Sequence, residues 1–259
     1  MAADALERIT LRINGRYQRT VSRLFYRRPL EFHLSKPIIS FTFDDFPRSA
    51  LHVGGEILGR FHARGTYYAS FGLMGMAAPT GEIFASEDIP VLLGQGHELG
   101  CHTFDHCHSW ETDPAEFEAS MERNDHALRQ LRPDCSFTSF SYPITQPRPG
   151  IKQKASTRFR LCRGGGQTHN GNTADLGLLK SYFLEKSKGD AGPVAQAIDA
   201  NRGANGWLIF STHDICESPT PYGCTPSFFE DIVHCAADSG ARILGVAEAM
   251  KIIEASARR

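Results

Sequence analysis

Apolar positions along the chain switch between two periods. Runs rich in β-branched and aromatic residues read as strands at Ile38–Phe43, Thr66–Phe71, Ser136–Phe140, Phe159–Cys162, Trp207–Ser211 and Ala241–Val246. Between several of them lie segments with helical spacing: Ser49–Ala63, Pro114–Leu131, Pro193–Asn201, Pro226–Asp238 and Ala247–Ala257. Thr112-Asp113-Pro114 and Thr225-Pro226 each set a capping residue before a proline that suits the first helical turn. Tyr142–Gly150 and Gly164–Asn172, rich in Pro and Gly, read as loops. Strand–helix alternation of this kind predicts a mostly parallel sheet, open or closed into a barrel. A chain of 259 residues suffices for one such domain.

Residues 1–36 break the alternation. They hold 8 Lys and Arg against 3 Asp and Glu, a basic arm in front of a domain that spans 37–259. Leu6, Ile9, Ile13, Tyr17, Val21 and Leu24 fall near one helical stripe, and Arg8, Arg12, Arg16, Arg19, Arg23 and Arg27 near another. Gly15 weakens that helix by about 1 kcal/mol relative to Ala. Two readings fit: an interfacial helix on anionic lipid, or a helix packed on the core or a sister subunit with its arginines in water. The second is expected, because the apolar stripe lacks large aromatic anchors.

Composition narrows the class. Hydrophobic residues make up 41% and charged residues 22%, ordinary values for a globular chain. The net charge of −1 gives no global basic footprint for nucleic acid. No stretch approaches the ~20 apolar residues of a membrane span, and the first residues lack the apolar core of an export signal. Seven scattered cysteines without a CxxC pair then read as free thiols in a reducing compartment, so a cytoplasmic protein is expected.

Three polar clusters sit where predicted strands run out. The first is Thr42-Phe43-Asp44-Asp45. Adjacent carboxylates repel, so the pair suggests a cation or two acids with different tasks, or simply a helix start. The second is Gly96-His97-Glu98-Leu99-Gly100-Cys101-His102-Thr103-Phe104-Asp105-His106-Cys107-His108. One helical turn would bring His102 and His106 to one face and within reach of one metal. Cys101, Cys107 and His108 raise the rival of a structural Cys/His zinc knot, for which no second ligand pair is evident. The third is Ser211-Thr212-His213-Asp214, an imidazole at a strand end beside a carboxylate placed to tune it. In parallel sheets and barrels, ligands collect at the carboxyl ends of strands, and all three clusters obey that rule. Two His and one Asp make a facial ligand set with open positions, a second carboxylate can take a proton from water, and a further His can give one to a leaving group. These parts suit hydrolysis of an amide-like C–N bond.

The same residues resemble the NodB-homology polysaccharide deacetylases, carbohydrate esterase family four. T-F-D-D at Thr42–Asp45, H-[ST]-x-x-H at His102–His106, the G-H-E-[IL]-G-x-H lead-in at Gly96–His102 and a final strand leading to His213 appear in family order, over about Ile38 to Ile253. The resemblance implies a distorted (β/α) barrel of about seven strands, Asp44 as general base, Asp45, His102 and His106 as metal ligands, and His213 as general acid. The implied cofactor is one divalent metal, zinc first, with cobalt, nickel or iron as alternatives. The family's third motif, R-x-P-Y, maps onto Ser141-Tyr142-Pro143-Ile144 and looks like an F-x-Y-P variant without the arginine. The Ile144 N–H would serve the oxyanion, Tyr142 would stand beside the substrate, and Arg163, ahead of Arg148, would replace the arginine that orients the base. Phe46 stands where the family has a glycine, and no acidic–tryptophan fourth motif is found. The activity implied is metal-dependent N-deacetylation of an acetylated amino sugar, glycan precursor or glycolipid. Two alternatives are a C–N hydrolase of a small cyclic or linear amide and a non-catalytic carbohydrate-binding relative.

Overall fold

Strand β1 (Ile38–Phe43) shows how this chain builds its sheet: Ile39, Phe41 and Phe43 alternate with Ile38, Ser40 and Thr42. A strand sends successive side chains to opposite faces. The computed structural model, which describes residues 14–144 and 146–257, turns the aromatic face outward. There Phe41 and Phe43 meet Phe229 of helix Pro226–Asp238 at centroid distances of 5.5 and 5.7 Å. Ser40 and Thr42 share the inner face with whatever follows them at even positions.

The main sheet also holds β2 (Gly65–Ala69), β3 (Glu98–Cys101), β4 (Ser139–Ser141), β5 (Leu161–Arg163), β6 (Tyr182–Phe183), β7 (Trp207–Thr212) and β8 (Arg242–Ile243). Its order is β6-β7-β1-β2-β3-β4-β5, parallel throughout, with β8 added beside the start of β1. The sheet curls, and the segment before β6 reaches its far edge: Leu179 bridges Arg163 while Tyr182 pairs Phe210. The predicted (β/α) barrel of about seven strands is the observed architecture. Helix Val246–Ala257 closes the lower end, where Val246, Met250 and Ile253 pack with Ile38, Trp207 and Ile209. Glu98 positions that helix by accepting the N–H groups of Ala247 and Glu248 at 2.8 and 3.0 Å, a carboxylate on a helix start.

Several predicted elements have the expected bounds. Asp113 caps Pro114–Leu131 by accepting the Ala115 N–H, and Thr225 caps Pro226–Asp238 by accepting that of Phe228. Others differ. Ser49–Ala63 is a π-helical turn, Ala50–Gly55, running into a short α-helix, Glu56–Arg60. The Tyr142–Gly150 loop ends at Pro149, which opens an unpredicted helix, Pro149–Arg158. Strand β3 lies within the second polar cluster.

Of the basic arm, residues 14–24 are helical, while Leu6, Arg8, Ile9, Arg12 and Ile13 lie outside the described residues. Tyr17 and Leu24 of the apolar stripe stand exposed. Lys152, fully buried, donates to the Ser22 and Phe25 carbonyls at 2.8 and 3.0 Å and pairs with Asp175 at 2.6 Å. Pro29–Glu31 pairs antiparallel with Thr173–Asp175. The arm is thereby tied to the domain at two places. No helix among the described residues is long and apolar enough to cross a membrane.

Candidate functional site

The period-2 alternation decides which side chains meet. Even positions of β1 lead to Asp44, odd positions of β7 to Ser211 and His213, even positions of β3 to His102, and odd positions of β4 and β5 to Ser141 and Arg163. All stand on the inner face at the carboxyl end. Register sets them side by side. Thr212 pairs Phe43 and the Asp44 N–H donates to the Thr212 carbonyl at 2.9 Å, so Asp44 and His213 leave neighbouring strands at one level. Cys101 pairs Phe140, and the Ser141 carbonyl accepts from His102 Nδ1 at 2.8 Å. Gly100 permits the layer beneath: a Cβ there would lie 2.4 Å from the Tyr68 ring. That ring in turn carries the Arg163 guanidinium 5.1 Å above it.

Asp45 would point outward if the strand continued. It does not, because Asp45 and Phe46 both adopt left-handed backbone conformations, with φ of 60° and 56°. Non-glycine residues rarely do so, and two in succession require tertiary support. Phe46 supplies it, fully buried and stacked on Phe84 at 4.7 Å. The turn brings Asp45 Oδ1 to 3.1 Å from His106 Nε2 and 3.5 Å from His102 Nε2. These three residues are also the set whose donor atoms all lie within 4.8 Å of one another. The helical turn expected for His102–His106 is absent. Thr103 and His106 have φ of 59° and 52°, and the segment loops, with Thr103 Oγ1 accepting the Cys107 N–H. The imidazoles still converge, at a centroid distance of 5.1 Å.

The donor set suits a cation. A carbonyl only accepts, so the Ser141 contact places a proton on His102 Nδ1 and leaves the Nε2 lone pair facing Asp45. Burial and neighbouring His106 outweigh the acids around His102 and bring it to about 4, so the ring is neutral near pH 7. Thr80 donates to Asp45 Oδ2 at 2.9 Å, whereas buried Oδ1 has no partner in hydrogen-bonding geometry. A buried carboxylate oxygen aimed at two imidazoles and left unsatisfied is the signature expected of a ligand atom. Burial alone would raise Asp45, yet the contact with His106 and the charges nearby hold it well below the usual carboxylate range. The same acid raises His106 above its ordinary value, against the effect of burial. Among the described residues Cys101, Cys107 and His108 join no ligand cluster. Cys101 is pushed up to about 12, chiefly by burial, and accepts from Asn124.

Asp44 is arranged differently. Oδ1 meets the Arg163 guanidinium and accepts from Ser141 Oγ at 3.2 Å, while Oδ2 accepts from Ser211 Oγ at 3.0 Å. Burial would raise its pKa, but Arg163, His102 and His213 outweigh it and hold the carboxyl at about 2. Arg163 is fully buried and also donates to Ser181 at 2.9 Å. Arg148 is elsewhere, bonded to the Thr112 carbonyl. His213 meets the Tyr222 carbonyl through Nδ1 at 3.2 Å. Asp214 does not touch it but closes the following loop onto Thr220. Ile144 is 64% exposed, with a φ of 64°. Tyr142 spends its hydroxyl on the Gly177 carbonyl at 3.0 Å. Both line the cavity shared by the two acids and the three histidines. Ser141, Ser211 and Thr80 were not singled out from the sequence. The two serines have a usable signal, a small polar residue at the inward position of an apolar strand end. Thr80 has none.

The residues that carry this geometry up to helix Pro149–Arg158 also match a family model, Polysaccharide deacetylase, over residues 33–157. Over these residues the chain is similar to the polysaccharide deacetylases. The match ends before Arg163 and His213. Solved structures extend the likeness of fold along the chain. The family 4 acetyl xylan esterase from Clostridium thermocellum, in complex with a cobalt ion, is 17% identical with a TM-score of 0.59, covering 83% of this chain and 91% of that one. The chitin deacetylase of Colletotrichum lindemuthianum is 15% identical with a TM-score of 0.59, covering 85% and 89%. A mutant of a CE4 family pseudoenzyme is 10% identical with a TM-score of 0.57, covering 83% and 68%. At these identities the likeness establishes the fold. Comparison with curated proteins finds no match.

Proposed function

We propose that this polysaccharide deacetylase relative is a metal-dependent hydrolase that removes the acyl group from an N-acetylated amino sugar. The observation that carries the reading is the pairing of an unsatisfied Asp45 oxygen and two imidazole nitrogens with a second acid, Asp44, held ionised beside them. Asp45, His102 and His106 would hold one divalent cation, zinc first by donor type, with cobalt, nickel or iron able to use the same set. A cation there supplies a Lewis acid for a carbonyl oxygen and lowers the pKa of water towards about 7.

The protein's own groups divide the proton transfers. Asp44, clamped by Arg163, Ser141 and Ser211, takes a proton from the attacking water as the C–O bond forms. His213 acts as the imidazolium: its Nδ1–H donates to the Tyr222 carbonyl and its Nε2 proton passes to the amide nitrogen as the C–N bond breaks, leaving the neutral ring. Acetate and a free amine leave. The Ile144 N–H is the main-chain donor for the developing oxyanion. Arg163 orients the base and holds it ionised across the sheet, the part that the polysaccharide deacetylases' third motif assigns to an arginine on another segment.

The test combines metal analysis with turnover. Purified protein is expected to carry one divalent metal, lost in Asp45→Ala. It should release acetate from N-acetylglucosamine oligomers, and chelation should abolish that release. His213→Ala should lower kcat on the order of a hundredfold or more at unchanged metal content, the range for a lost general acid. Ammonia released from cyclic amides in place of acetate would transfer the activity to small amides. Protein that neither binds nor responds to metal would refute the reading.

A further inference from the structure

The arm helix forms one wall of the cavity that holds the acids and histidines. Arg19 and Arg23 are four residues apart, hence neighbours on one helix face, and both line that cavity, whose volume is about 880 Å3. The wall is fixed in place. Lys152 grips the carbonyls of Ser22 and Phe25, the single Ser22 hydroxyl proton is shared between the Gln18 and Pro147 carbonyls, and Tyr17 meets Trp110 edge-on at 6.0 Å. Trp110 is itself tied to the Gln146 carbonyl, on the loop that leads from β4. Gly15 also finds a use, since its missing Cβ leaves room for the Arg19 guanidinium 3.2 Å from where that atom would stand.

The acids around the cavity are already engaged. Asp44 has Arg163, Asp45 faces the imidazoles, and Asp105 has Arg123 at 2.5 Å. Glu185, the remaining acid, is drawn towards its neutral form by burial. Among the described residues, neither Arg19 nor Arg23 has an acidic partner within 4 Å. Two like charges one helical turn apart repel, and the arrangement is relieved when an anion binds between them. Guanidinium forks match the oxygens of a phosphate.

Resting on the deacylase reading, we infer that Arg19 and Arg23 form a phosphate subsite, and that the substrate is a phosphate-bearing acylamino sugar rather than a neutral polymer. The phosphate could belong to a soluble sugar phosphate or to the diphosphate link of a lipid-borne sugar. Both present the same oxygens to the arm.

Binding to zinc-loaded protein by calorimetry tests this apart from turnover, with three probes: N-acetylglucosamine, N-acetylglucosamine 1-phosphate, and N-acetylglucosaminyl farnesyl diphosphate in neutral detergent. One or both phosphorylated probes should bind at least tenfold more tightly than the neutral sugar, and the preferred probe identifies the source. Added salt should shrink the ratio, and R19Q/R23Q should bring it close to one. R16Q/R27Q, which removes equal charge from arm positions outside the cavity, should preserve it. Equal affinity for all three probes, or equal loss in both double variants, overturns the subsite. Absence of acetate release alongside an intact phosphate preference overturns only the deacylase reading.

Discussion

Arg163 is the residue on which the most contacts of the site depend. It is fully buried, it faces Asp44, and it rests on Tyr68 because position 100 has no Cβ. Arg163→Lys keeps the charge but not the planar fork, so it is not a conservative change here. Turnover should fall on the order of a hundredfold, with metal content unchanged. Because the Arg163 charge helps hold Asp44 near 2, Arg163→Met, which removes that charge, should raise the acid's pKa and move the acid limb of the pH–rate profile upward. An acid limb at the same pH in the variant would remove the orienting role. At this scale the sequence was informative where chemistry is dense, as at Asp44, Asp45, His102 and His106. It was silent on Thr80, whose contact with Asp45 depends on the short hairpin Ala77–Glu82, and it could not show that Tyr142 turns its hydroxyl to a backbone carbonyl.

Among the elements, legibility followed length and contrast. β1 and β7, each six residues rich in β-branched and aromatic side chains, were readable, as was the capped helix Pro114–Leu131. β3 was hidden because its inward residues are Glu98 and Gly100, one serving a helix start and the other an aromatic ring. Helix Pro149–Arg158 was hidden because Pro149-Gly150 looks like loop, although proline suits the first turn. The spacing of His102 and His106 was legible but its cause was not, since two left-handed residues replace the helical turn. Among the contacts that hold the arm helix are those of the buried Lys152, which also pairs with Asp175. Lys152→Met would strand the Asp175 charge and release the Ser22 and Phe25 carbonyls, a loss of about 3–5 kcal/mol by analogy with broken buried pairs. Trypsin should then cut after Arg23 or Arg27 before the domain unfolds. Unchanged cleavage kinetics would mean that the arm is held by other contacts.

For the whole molecule, acid sensitivity follows from rings buried in their neutral form. Burial and the Arg64 charge bring His97 from 6.5 to about 4, and its Nδ1 accepts the Gly65 N–H at 2.9 Å. The unfolded chain binds a proton on this ring near pH 6.5, whereas the folded chain does so only near 4. Its contribution is therefore complete above about 6.5 and is lost as pH falls across that window. Urea unfolding at pH 7 and pH 5 should show a smaller drop for His97→Asn, which keeps an acceptor near the Nδ1 position, than for the parent chain. An identical drop would assign the sensitivity to other groups.

The place of β1 in the sheet has a consequence for how the polypeptide is made. The strand that delivers both acids lies between β2, which follows it closely, and β7, which begins 164 residues after the end of β1. Until Trp207 has left the ribosome, one edge of Ile38–Phe43 exposes bare backbone and aromatic side chains, the kind of surface that recruits chaperones or aggregates. Acids and imidazoles present early in translation thus gain their final surroundings only near its end, and a chain interrupted before then would carry Asp44, Asp45, His102 and His106 without the neighbour that sets their level.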